Sequence, residues 1–388
     1  MSARLVVVCA VVSMCLSVAR AQILPTDGIL VSRSRIQGTS GSGAAFDLVT
    51  YWAGMSIISA HSEIGNQNSD NSAIALAKAL LYVFDSTNLT YQGYRNHVID
   101  AIRVIFSTPP DDLNWSVLAP SRELCAYVVA ADLLVLSDVD KDSFKSWLET
   151  AVYETVYRGG MDPELTIEEA HRYRPQNFGG HAGATRLATA VYRGDVADVQ
   201  KCWRVFRQFC GHTNLLPPDE FDFGSDISWH PEGSTSSTWV PINPAGSYII
   251  DYSMGFPGVN RDVDGCQPDE QRRAGSFAWP PTWTKYHFEG LQGLWAQALI
   301  LSRCQYSPFT VKSDAISRAM DFYYRNGMDI DPLAANPRGD DSQDDVWMEP
   351  LSNHFYGTSY YWIVDTTYTD YRNNKPGKAI GFMEWLYP

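Results

Sequence analysis

The chain has 388 residues, of which 45% are hydrophobic, and a formal net charge of -14. That apolar fraction is ordinary for a globular protein, and the length is enough for a sizeable core. The acidic balance argues against nucleic acid or an anionic membrane surface as partner, although a cleft can be locally basic on an acidic protein.

In chain order, Arg4 precedes an apolar run from Leu5 to Val18, and Ala19-Arg20-Ala21 offers small residues where a signal peptidase reads. This pattern predicts a secretory signal over residues 1–21, too short and wrongly flanked for a stable membrane anchor. The mature chain is then expected to start near Gln22 and to form one domain over 22–388, secreted, extracellular and monomeric. No later apolar run is long enough to span a bilayer. Cys9 and Cys15 leave with the signal, and Cys125, Cys202, Cys210, Cys266 and Cys304 remain. An oxidising compartment predicts up to two disulfides and one free thiol, with Cys125, in an apolar run, as the thiol. Asn88-Leu89-Thr90 and Asn114-Trp115-Ser116 are N-glycosylation acceptors.

Helical periodicity runs through the first half. Asn71 to Asp85, Tyr91 to Phe106, Ser143 to Tyr157, His181 to Tyr192 and Val196 to Cys210 are predicted helices. Ser121 to Leu136 is apolar almost all round and is expected to be an inner helix. Between His212 and Thr284 the chain turns rich in Pro, Gly, Trp and Asp with little periodicity, as a functional insert does. A broad apolar face resumes after Tyr286 with Phe288, Leu291, Leu294, Trp295, Ala298 and Leu301, and Ser313 to Arg325 is a further helix. The aromatic tail from Leu351 to Pro388 is expected to add a helix and an extended end. Some ten or more helices joined by short connections predict an all-α fold. The arrangement expected is an α/α toroid, an incomplete double ring, with the irregular insert lining its cleft. A solenoid is the alternative, but no fixed period supports it.

Two segments concentrate polarity at helix starts. In Arg172-Tyr173-Arg174-Pro175-Gln176-Asn177-Phe178-Gly179-Gly180-His181, the paired glycines are expected to break the preceding structure, with a helix beginning near His181. Asn177 and His181 would lie at its mouth, where amide dipoles favour an anion; the alternative is a plain cap and an ordinary first-turn residue. In Trp283-Thr284-Lys285-Tyr286-His287-Phe288-Glu289-Gly290, four polar side chains crowd the start of an otherwise apolar helix. The high aromatic content, 12 Trp and 21 Tyr, suits either sugar binding or a large buried core.

Together these segments resemble the alginate lyase superfamily. Gln176-Asn177-Phe178-Gly179 resembles its Asn-Asn-His-Gly-like or Asn-Asn-Trp-Gly-like helix opening, and Tyr286-His287-Phe288 with Leu291 resembles its Tyr-His-Asn-like motif. Arg122, in Ser121-Arg122-Glu123-Leu124-Cys125, is similar to the family's early Arg-led helix. Asp226 to Glu232, ending in Trp229-His230-Pro231-Glu232, is similar to its Asp-Gly stretch leading to a Glu. The resemblance covers about 120 to 310, with gaps. It departs at Phe178, where many relatives have His; His181 follows three residues on.

The resemblance implies β-elimination of a 1,4-linked uronan such as alginate or glucuronan. Such a reaction removes the C5 proton and expels the 4-linked sugar, so the neighbouring carboxylate must be neutralised as charge develops. Arg122 and Asn177 suit that task. Tyr286 is implied as base, acid or both; a phenol ionises near ~10, and a neighbouring cation lowers that value. His181 or His230 would share the proton work, with Gln176, Glu232, Lys285 and His287 as further substrate contacts. No cofactor or metal is required; calcium at the Asp340–Asp345 run is the alternative to a solvated acidic loop. The competing readings are a glycoside hydrolase using two of Asp226, Glu232, Asp251 and Glu289, and a non-catalytic sugar-binding protein.

Overall fold

The computed structural model describes residues 24–111, 114–159, 164–212, 240–242, 247–252, 259–272, 278–279, 285–330, 347–359 and 377–388. Three short helices, α1 (Arg33–Gln37), α2 (Ala44–Ala53) and α3 (Ala60–Ile64), precede α4 (Asn71–Phe84) and α5 (Leu89–Phe106). Then come α6 (Leu118–Leu134), α7 (Asp138–Glu149) with a π-helical turn over Thr150–Glu154, α8 (Ile167–Tyr173), α9 (Asn177–Arg193) and α10 (Val196–Phe209). Strands β1 (Ser247–Tyr252), β2 (Val259–Asp262) and β3 (Ala278–Trp279) are interrupted by α11 (Pro268–Gln271), and α12 (Lys285–Arg303), α13 (Ala315–Ile330), α14 (Met348–Tyr356) and α15 (Met383–Leu386) complete the chain.

Helix burial falls into two kinds. The Ala- and Leu-rich α4, with strong intrinsic helix propensity, is buried on nearly every side, as are α6 and α9. From Leu291 to Leu301, α12 is buried throughout. By contrast α5 buries a stripe of Val98, Ile99, Ala101, Ile102 and Ile105, and α7 only Phe144, Trp147 and Leu148. The stripe is what a helix with one wet face shows. The fully buried helices pack in succession, α4 on α6, α6 on α9 and α9 on α12, while α5, α7 and α10 lie against them. The chain's end returns to its beginning: α15 packs on α2, and Trp385 meets Phe46 and Phe84 with its Nε1 donating to the Ser40 carbonyl at 2.8 Å.

The described structure is thus mostly helical, as expected, with three corrections. The insert contains a small sheet of order β2-β1-β3, β1 antiparallel to β2 and parallel to β3. Tyr248, Ile249, Ile250 and Tyr252 give β1 the aromatic and β-branched composition of a strand, too short a run to stand out among prolines. The helix expected from Ser143 starts instead at Asp138, because the Ser137 side chain accepts from Asp140 N–H and two aspartates occupy the first turn. And no disulfide joins the five described cysteines, which are all free and buried. They pack as small hydrophobes, and burial pushes the thiols of Cys125, Cys210 and Cys304 up to about 12.

No described helix is long and apolar enough to cross a membrane. The signal sequence expected over 1–21 lies outside the described residues, as does the Asp340–Asp345 run. Of the two glycosylation acceptors, Asn114 is exposed and Asn88 half-exposed, the latter capping α5 by accepting from Thr90 N–H.

Candidate active site

The site is built where α9 crosses α12, and glycines make the crossing. A Cβ on Gly293 would lie 2.2 Å from the Gly180 carbonyl carbon and 2.4 Å from the His181 nitrogen; one on Gly180 would lie 2.9 Å from the Gly290 oxygen. The glycine pair therefore does not break a helix, contrary to expectation. It belongs to the first turns of α9, which begins at Asn177: Gly180 lets α12 approach, whereas a Cβ on Gly179 would lie 1.9 Å from the Arg174 carbonyl oxygen. Asn177 and His181 are consequently four residues apart on one helical face. On α12, Tyr286, Glu289, Gly290 and Gly293 are spaced to share a face likewise. The third wall is α6, held to α9 by the Thr185 hydroxyl, which donates to the Ser121 carbonyl at 2.8 Å.

One carboxylate ties these walls together. Arg122 Nη2 donates to Glu289 Oε2 in an ion pair, and Asn177 Nδ2 donates to the same oxygen at 3.1 Å. The Asn177 N–H donates to Glu270 Oε1 at 2.6 Å. The anion expected at the mouth of α9 is therefore one of the protein's own carboxylates. Gln176 is the N-cap residue without a side-chain cap, and its Oε1 is buried with no partner among the described residues.

His181 is wholly buried, with its ring against the Glu289 main chain. Burial, followed by the charges of Arg122 and Lys378, holds it well below the usual imidazole range, against a smaller opposing effect of the Glu289 main chain. The ring is neutral at neutral pH. Arg122 and Asn177 are buried too, whereas the Glu289 side chain is 14% exposed and Tyr286, in the first turn of α12, is half-buried. Of Arg122, Asn177, His181 and Glu289, Glu289 alone has a partly exposed side chain, and Tyr286 lies three residues before it on α12.

Other expected site residues are placed differently. His287 is fully buried, kept well below its usual range by burial, and its carbonyl accepts from Gln267 Nε2 at 3.0 Å. One residue past Tyr286, it lies about 100° around the helix from it. Lys285 opens α12, but its side chain lies outside the described residues, as do His230, Glu232, Asp226 and the Asp251 side chain.

The C-terminal segment supplies what sequence reasoning missed. Ala379 N–H donates to the Arg122 carbonyl at 3.1 Å, and Lys378 N–H donates to Gln292 Oε1 at 2.6 Å. Lys378 Nζ donates to the Gln67 carbonyl and to Asn68 Oδ1, both at 3.2 Å; the Gln67 oxygen also lies 3.5 Å from Arg122 Nη1. Beside them the buried Glu123 carboxyl is pushed up to about 8 by burial, against the Ser72 hydroxyl, which donates to it at 2.5 Å, and the charges of Lys378 and Arg122. Among the described residues no group of three or more His, Cys, Asp and Glu side chains is placed to hold a metal ion.

No known protein-family model matches the chain. No curated protein matches it. No solved structure matches it.

Proposed function

We propose that the protein is a secreted polysaccharide lyase that cleaves a 1,4-linked uronan by β-elimination, on an α/α toroid. The observation that carries this reading is the meeting of Arg122, Asn177 and His181 around Glu289, one helical turn from Tyr286. These residues come from three segments far apart in sequence, and a β-elimination needs what they offer. The toroid is supported by the alternation of fully buried with one-sided helices and by the return of α15 to α2.

In the reaction, Tyr286 in its deprotonated form takes the C5 proton, and the phenol so formed is the acid that returns it to the leaving oxygen. The electron pair of the C5–H bond forms the C4–C5 double bond, the C4–O bond breaks, and the leaving oxygen takes a proton. Charge that develops on the uronate carboxylate is met by the cationic side of the site. Arg122 and Asn177 reach that carboxylate when the Glu289 side chain yields its place to it. His181, neutral and buried against Arg122 and the Glu289 main chain, shares the proton work. The chemistry requires no metal or cofactor.

The test is an ultraviolet assay against mannuronan, guluronan, glucuronan and glycosaminoglycans. A lyase leaves a conjugated unsaturated uronate, so absorbance rises with chain cleavage, and Tyr286→Phe abolishes turnover while sparing affinity. Cleavage without an absorbance rise overturns the reading in favour of a hydrolase. Binding without cleavage, unchanged by Tyr286→Phe, makes it a sugar-binding protein.

A further inference from the structure

The cation named by the sequence, Arg122, is not the one a substrate meets first. Its side chain is 4% exposed and is engaged by Glu289. Lys378 is half-buried, and its ammonium lies at the partly exposed rim formed by Gln67 and Asn68. The two cations converge, since both Arg122 Nη1 and Lys378 Nζ point at the Gln67 carbonyl.

The Lys378 backbone is fixed on both sides. Its N–H is held by Gln292 on α12, and the next residue is held by the Arg122 carbonyl on α6. A lysine anchored so closely to the walls of the site presents its charge at a defined place. The wholly buried His181 imidazole lies near enough to feel its charge. On a chain with a net charge of -14, a polyanion approaches only where local positive charge outweighs the general repulsion, and with Arg122 engaged by Glu289 that charge is supplied by Lys378.

We infer that Lys378 is a substrate-binding residue: it takes the carboxylate of a uronic-acid unit at the mouth of the site, in front of Arg122. The inference rests on the uronan reading and deepens it, by adding the C-terminal segment to the site.

The experiment is calorimetric binding of a 1,4-linked mannuronate or glucuronate oligomer and of its carboxyl-reduced, neutral form. It uses the full chain carrying Tyr286→Phe, with and without Lys378→Gln or Lys378→Arg. Lys378→Gln is expected to weaken the acidic oligomer about tenfold, a typical loss for one charged contact. The salt dependence of binding should flatten with it, and Lys378→Arg should restore most of both. The reduced oligomer should be indifferent to either change. Thermal unfolding of each variant separates lost binding from lost folding; if Lys378→Gln unfolds, the comparison of Lys378→Arg with Lys378→Met decides. Acidic-oligomer binding unchanged by loss of the charge overturns the inference, as does a chain that binds no acidic oligomer. If the Tyr286→Phe chain binds through Lys378 but the wild-type chain produces no unsaturated uronate from the same oligomer, this inference stands and the lyase reading ends.

Discussion

The Glu289 oxygen that pairs with Arg122 also accepts from Asn177, so one carboxylate fixes groups from α6, α9 and α12. Because the pair is largely buried, removing one partner strands a charge, which typically costs about 3 kcal/mol or more. Arg122→Met and Glu289→Met should each lose about that much stability in urea unfolding. The double variant should lose much less than the sum, since no stranded charge remains. A cycle in which the two losses simply add would show that the pair is not coupled.

How far the site was readable from sequence follows from range. Asn177, His181 and Tyr286 stood out because local signals marked them: polar groups opening helices of high apolar content. The helix starts four residues before the expected point because Gly179 and Gly180 usually signal a break; here Gly180 makes room for the backbone of α12 and Gly179 for the Arg174 carbonyl. Glu289 lay within reach of helical reasoning, three residues beyond Tyr286. Glu270 and Lys378 did not. Their roles depend on segments 93 residues beyond Asn177 and 310 or more beyond Asn68 in the chain, and neither has a local pattern. The disulfides are an expectation from compartment alone, and the five described cysteines are instead free and buried.

Gly293 is the tightest point of the α9–α12 crossing. Gly293→Ala places a methyl against the Gly180 backbone and the His181 nitrogen, neither of which is a flexible side-chain end. It should destabilise the fold by about 1–3 kcal/mol and reduce activity by moving α12, and Tyr286 with it, away from α9. Gly93 on α5 is the control, with nothing within 4 Å of its added Cβ. There alanine should stabilise by roughly 0.5–1 kcal/mol through helix propensity. Equal effects at the two positions in thermal unfolding would contradict the close crossing.

The buried thiols predict chemistry as well as packing. With all five described cysteines free, a thiol reagent should label each of them once the chain is unfolded without any reductant. The folded chain should react slowly, because burial disfavours the reactive thiolate. Mass spectrometry counts the labels. Labels that appear only after reduction would mean that the cysteines are cross-linked.

Glu123 gives the fold a defined pH response. Folding moves its carboxyl from an ordinary 4.5 to about 8, chiefly by burial. Between those values the folded chain keeps a proton that the unfolded chain has lost. Its contribution to stability is therefore fully present below pH ~4.5 and declines as pH rises toward ~8. Glu123→Gln keeps an oxygen to accept from the Ser72 hydroxyl and has no charge to desolvate. Wild type and variant should match near pH 4, and the variant should gain as pH rises. By pH ~8 the gain should be on the order of a few kcal/mol, at about 1.4 kcal/mol per unit of displacement before relaxation. Urea unfolding at a series of pH values measures it. A stability difference that stays flat from pH 4 to 8 would show that Glu123 is ionised in the folded chain, and that Arg122 and Lys378 outweigh its burial.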